Sequence, residues 1–123
     1  MSIGFTQKHV EEIGVDNLTT EQFLSIAIEA SRLIGWVFSN VHEKGFIAYT
    51  NNGVFSWNAE IRLKINNGFA LLQSQSRGNE IIEFGKNKEN LQRFISTFYD
   101  LKKSLTPEEI TIKYKNLQSN FRE

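Results

Sequence analysis

At 123 residues the chain fits one domain, 1–123, long enough to bury roughly two-thirds of the surface its unfolded form exposes and so to hold a core without staples. Its 14 basic and 14 acidic residues cancel and are interspersed, so no long-range field draws in nucleic acid or an anionic membrane. With no cysteine, disulfides and thiolate metal sites are excluded; His9 and His42 are too few for a zinc cluster, and no cofactor is expected.

Met1 to Ile13 lacks the basic start and apolar core of a signal peptide. No later run approaches the roughly 18 apolar residues of a membrane span, so the chain as given reads as soluble and fits a cytoplasmic setting. Residues Ile3 to Ile13 place Phe5, Val10 and Ile13 among polar neighbours, the pattern of an edge strand. Thr19 followed by Gln22 has capping-box spacing and predicts a helix start. Phe23, Ile26, Ala27, Ala30, Leu33 and Ile34 then form one apolar stripe, with Glu21, Ser25, Glu29 and Arg32 on the wet side. Gly35 supplies the left-handed residue that ends the helix.

Trp36 to Ser76 reads as a meander of hairpins punctuated by Glu-Lys-Gly and two Asn-Asn-Gly triplets. A two-residue type I′ turn at Asn67-Gly68 pairs Asn66 with Phe69, Ile65 with Ala70, Leu63 with Leu72 and Ile61 with Ser74. The same turn at Asn52-Gly53 pairs Tyr49 with Ser56, Ala48 with Trp57 and Phe46 with Ala59. Both hairpins then agree on an apolar face of Phe46, Ala48, Trp57, Ala59, Ile61, Leu63, Ile65, Ala70 and Leu72. The opposite face carries Ser56, Asn58, Glu60, Arg62, Lys64, Gln73 and Gln75. His42 to Gly45 has the look of a type I turn with a glycine bulge.

Arg77 to Lys86 reads as loop with an apolar patch at Ile81, Ile82 and Phe84. Asn87 is placed as the cap of a second helix with a stripe of Leu91, Phe94, Ile95, Phe98, Leu101 and Leu105. Thr106-Pro107-Glu108-Glu109 joins an N-cap threonine, proline at the first helical position and a glutamate closing the capping box. The helix it starts places Ile110, Tyr114, Leu117 and Phe121 on one side. The expected fold is α+β in two layers: a four- to five-stranded antiparallel meander sheet with helices on one face, in the order β-α-β-β-β-β-α-α.

Chemistry is sparse. Between Gly78 and Gly85-Lys86-Asn87 lie six residues where a phosphate-binding Walker loop has four, and asparagine stands where it has Ser or Thr. Lys86, Lys88 and the amides at Asn87 are a candidate anion site, beside the plainer reading of a solvated helix cap. No Gly-x-Ser-x-Gly elbow appears, and a triad would have to recruit His9 from a strand or His42 from a turn. Glu11 with Glu12, and Glu108 with Glu109, are sequence neighbours that point apart and read as solvated surface. Trp36, Phe38, Tyr49 and Trp57 invite comparison with base-stacking sheets, yet the open face carries Glu60 and the net charge is zero, so no nucleic-acid partner is expected. Trp57 is assigned to the core, while Ile47, Tyr49 and Phe38 are a candidate protein-contact patch.

Leu33-Ile34-Gly35-Trp36, Gly45-Phe46-Ile47-Ala48-Tyr49-Thr50, Ser56-Trp57, Ser74-x-Ser76-x-Gly78-Asn79 and Gly85-Lys86-Asn87-Lys88-x-Asn90 belong together as a set. From about Phe5 to Tyr114 the chain resembles the soluble N-terminal domain found ahead of the membrane region in rhomboid-family proteins of Bacteroidetes-type bacteria. The resemblance implies a parent that is an intramembrane serine protease using a serine and histidine dyad. Neither its Gly-x-Ser-Gly motif nor a membrane helix occurs here, so no catalytic residue carries over to this chain. It implies instead a non-catalytic accessory domain, regulatory or contact-making, on the cytoplasmic side of the inner membrane, with 106–123 leading towards a membrane region. Its partner is then its own membrane domain or another protein. The alternative is a free-standing protein-binding module using Ile47 and Tyr49.

Overall fold

The computed structural model describes residues 8–51, 58–76 and 85–118. The element order is β1 (Lys8–Gly14), α1 (Thr20–Leu33), β2 (Val37–His42), β3 (Gly45–Tyr49), β4 (Ala59–Ile65), β5 (Phe69–Ser76), α2 (Lys86–Ser104) and α3 (Pro107–Gln118). The strands form one antiparallel sheet in the order β1-β5-β4-β3-β2, with the helices on one face, so the expected two-layer α+β architecture is the observed one.

Both capping boxes form. Thr19 Oγ1 accepts from Gln22 N–H at 3.1 Å while Gln22 Oε1 accepts from Thr19 N–H at 2.9 Å. Thr106 and Glu109 reproduce the exchange at 3.1 and 2.9 Å. At its other end α1 closes in a Schellman arrangement: Gly35, at φ 87°, donates to Arg32 O and Trp36 donates to Ser31 O. That turn delivers Trp36 into the core, where its ring stacks on Phe94 at 5.7 Å and 6°. Phe94 leans on Phe98, and Phe98 on Phe23 at 4.6 Å, so an aromatic run ties α2 to α1.

Two residues of α1 depart from the stripe. Ser25 is buried rather than wet and Leu33 is 62% exposed. The stripe assumes one buried face, whereas α1 packs against both α2 and α3 and is buried nearly all round. The Ser25 and Ser31 hydroxyls are accommodated by donating to the carbonyls of Glu21 and Ala27, each at 2.9 Å.

The β4–β5 register is the expected one: Ile65 opposes Ala70, Leu63 opposes Leu72 and Ile61 opposes Ser74. The turn itself is not type I′. Gly68 has φ 88° but Asn67 is not in the positive-φ region, whereas a type I′ turn needs both. The β3–β4 register is corrected: Phe46 opposes Leu63, not Ala59, and Ala48 opposes Ile61, not Trp57. The described flank of this connection is held by Asn58, which is buried rather than exposed. Its Oδ1 accepts from Thr50 Oγ1 at 3.1 Å and Asn51 N–H at 3.2 Å, and Thr50 Oγ1 accepts from Ala59 N–H. The partners move by an even number of residues, so Phe46 and Ala48 keep the apolar side. Ser56, Trp57, the Asn52-Gly53 turn and the Ile81, Ile82 and Phe84 patch lie outside the described residues, as do Phe5 and Phe121.

Gly45 is no bulge residue. It pairs directly with His42, has no positive φ, and a Cβ there would lie 1.9 Å from Leu63 O, so glycine is required by the close approach of β4. The irregularity sits earlier, where the register shifts between Phe38 and Asn40.

Candidate functional site

The residues singled out in the sequence fall on opposite sides of the sheet. Ile47 and Tyr49 project from β3 onto the face without helices, where Ile47 lies between Asn40 and Arg62 and Tyr49 between Val37 and Glu60. Both are half-buried, and Val37 is 47% exposed beside them. Phe38 does not join this patch. It turns to the helix side and meets Phe46 edge-on at 5.2 Å, so Val37 takes its place. The register shift after Phe38 returns Asn40 to the open face, and Asn40 Oδ1 is buried without a hydrogen bond among the described residues. Glu60 and Arg62, neighbours along this face of β4, pair with one another.

Lys86, Asn87 and Lys88 start α2 on the other side. The N-cap is Gly85, at φ 84° and with no side-chain cap, so Asn87 is not the capping residue. It lies two residues past that cap, is buried, and faces the sheet. Ser74 Oγ donates to Asn87 Oδ1 at 2.7 Å, Asn87 Nδ2 donates to Ser76 Oγ at 3.0 Å, and Asn90 Nδ2 donates to Ser74 Oγ at 3.2 Å. The geometry is a match of periods. Ser74 and Ser76, two apart on a strand, share one face; Asn87 and Asn90, three apart on a helix, share another. Lys86 is half-buried and Lys88 exposed, so the cations of the candidate anion site flank a side chain already engaged inside the fold.

Sequence reading missed this clasp, although a signal for it existed. The β4–β5 register sets Ser74 opposite Ile61, on the apolar face, and a buried hydroxyl there demands a polar partner. Ser74 also lies opposite His9 in the β1–β5 ladder, and His9 Nε2 is 2.6 Å from Glu11 Oε2. A serine, a histidine and a glutamate therefore gather on one face. Ser74 is nevertheless 0% exposed and its hydroxyl proton is directed to Asn87, the opposite of a nucleophile presented to substrate. His42 stands at the far edge of the sheet and on the other face, its Nδ1 accepting from Lys44 N–H at 3.3 Å. The two histidines cannot serve one site. Glu11 opposes Leu72 and Glu12 opposes Leu71, so those carboxylates do point to different faces.

Away from these residues, a recess of about 170 Å³ separates α1 from α3, bridged by Glu29 and Lys113 at 3.4 Å. Among the described residues no group of three or more metal-ligating side chains gathers, and no helix is long and apolar enough to cross a membrane. Among the described residues, the perturbed titrations belong to α3. The Thr106 backbone N–H, then its hydroxyl, holds the Glu109 carboxyl below its ordinary value, and burial raises the Tyr114 hydroxyl. Compared with protein-family models, curated proteins and solved structures, the chain matches none.

Proposed function

We propose that this chain is a non-catalytic accessory domain of a rhomboid-family intramembrane serine protease, acting by protein contact through the open face of its sheet. The context rests on the motif resemblance. The mode of action rests on one observation: a sheet face without helices that bears Val37, Ile47 and Tyr49 together at the β2–β3 end. The buried hydroxyls and carboxamides behind that sheet are spent on one another, which favours contact over chemistry as the mode of action. In this reading α3, packed on α1 through Ile110 and Leu117, leads towards the membrane region, and the domain is tethered at the cytoplasmic side of the inner membrane.

Two measurements test the proposal. The reading frame carrying the chain is followed past Glu123: several apolar segments of about 20 residues, one bearing Gly-x-Ser-Gly, are expected. A stop codon in their place overturns the rhomboid context and favours a free-standing binding module. Contact is tested by a photo-crosslinking residue at Tyr49 in cells, with one at Glu108 as control. A discrete adduct at Tyr49 alone is expected, and identical patterns from both positions overturn the assignment of the open face.

A further inference from the structure

We infer that Asn67, at the tip of the β4–β5 hairpin, is a site of spontaneous deamidation that converts this turn to isoaspartate as the protein ages. Asn67 and Gly68 are both exposed. The Asn67 carboxamide makes no hydrogen bond among the described residues, and neither does the Gly68 N–H. Nothing lies within 4 Å of the place a Cβ would occupy at Gly68, so no other element packs against this side of the turn. The preceding asparagine is a poor competitor. Asn66 is half-buried and donates its N–H to Phe69 O at 2.7 Å, and its successor Asn67 carries a side chain that hinders attack.

The reaction needs only water and hydroxide. Hydroxide removes the Gly68 amide proton, and the nitrogen attacks Asn67 Cγ. The N–Cγ bond forms, the Cγ–Nδ2 bond breaks, and Nδ2 takes a proton and leaves as ammonia. Water then opens the five-membered imide at one of its two carbonyls, returning a proton to the Gly68 nitrogen; no electrons are transferred. Opening at the side-chain carbonyl gives aspartate. Opening at the main-chain carbonyl gives isoaspartate, which routes the backbone through Cβ and lengthens it by one carbon.

The fold gives that extra carbon a specific consequence. Gly68 O accepts from Val15 N–H at 3.2 Å, so the hairpin tip also fastens the end of β1, whose Gly14 opposes Phe69. A longer turn displaces Gly68 O and releases Val15. Ring closure requires the turn to open, but a loop tip opens locally without global unfolding.

The native protein and a synthetic peptide of residues 65–77 are incubated side by side at mildly alkaline pH, and the tryptic peptide Ile65 to Arg77 is followed by mass for amide-to-acid conversion. The folded protein is expected to convert at no less than roughly one hundredth of the peptide rate, as local opening requires. Conversion should accelerate with pH and vanish in Asn67→Gln, whose ring would need six members. A folded-state rate below that hundredth shows the turn to be protective and overturns the inference. The aged fraction that gains one negative charge holds isoaspartate and aspartate together; it is expected to contain a component that melts about 4 °C lower for the loss of one hydrogen bond, while Asn67→Asp, which carries the same charge, keeps the native Tm. Equal melting of both forms removes the proposed release of β1.

Discussion

Replacing Asn87 with alanine tests whether the serine and asparagine clasp holds α2 to the sheet. The carboxamide accepts from Ser74 and donates to Ser76, and both hydroxyls are buried, at 0% and 4% exposure. Truncation removes these two hydrogen bonds among the described residues, worth a net ~1 kcal/mol each, and strands the Ser74 proton, a buried donor whose desolvation costs about 1–3 kcal/mol. Asn90 still donates to Ser74, so that acceptor stays satisfied. The expected loss is about 3–5 kcal/mol, read as a fall in the urea midpoint at unchanged slope. Ser74→Ala removes the stranded donor, so the double variant Ser74→Ala/Asn87→Ala should be destabilised by less than the sum of the singles, with a coupling of roughly 1–2 kcal/mol. Additivity within ~0.4 kcal/mol, the behaviour of independent sites, would refute the clasp.

Gly45→Ala drives a Cβ to 1.9 Å from Leu63 O and should cost about 3 kcal/mol or more in urea unfolding, because a ladder carbonyl has no room to move. Asn58→Ala releases Thr50 Oγ1 and Asn51 N–H and should cost about 1–3 kcal/mol, with amide exchange accelerating first at Asn51 and Ala59. For Glu109, the Thr106 backbone N–H lowers the folded-state carboxyl, so its stabilising contribution is present above the unfolded carboxyl range and is lost as pH falls through the folded value. Glu109→Gln, which takes away the titrating carboxylate, should therefore weaken the acid dependence of α3 amide exchange, and an unchanged acid limb counts against the capping box as its source.

What the sequence made legible was whatever depended on near neighbours. Asn67-Gly68 set the β4–β5 register, and the Thr19 and Thr106 boxes set two helix starts, because each partner lies within three residues. Asn52-Gly53 looked equivalent and misled, since the β3–β4 register is fixed by Asn58 reaching back eight residues to Thr50. Ser25 was misplaced because a stripe reports one face, and α1 packs against both α2 and α3; Leu33, the last residue of the helix, is exposed. The clasp was least legible of all. Its partners lie 11 to 16 residues apart, and its asparagine occupies a position that in isolation resembles a helix cap.

The fold also separates structural from functional roles within the motifs that carry the rhomboid resemblance. Gly35 is needed for the Schellman turn that buries Trp36, Gly45 for the approach to Leu63, and Thr50 for the Asn58 connection. Ser74 and Ser76, with Asn87 and Asn90, are two halves of the clasp. Packing thus accounts for these residues without any appeal to activity. Ile47 and Tyr49, within the same Gly45 to Thr50 segment, are instead half-buried side chains turned to the face without helices. Substitutions there should therefore separate stability from function. Ile47→Ser and Tyr49→Ala are expected to cost under about 1 kcal/mol each in urea unfolding, as half-exposed positions do, yet Ile47→Ser is expected to abolish the adduct formed by the crosslinking residue at Tyr49. A loss of several kcal/mol would place both residues among the packing positions and leave the open face without a functional candidate.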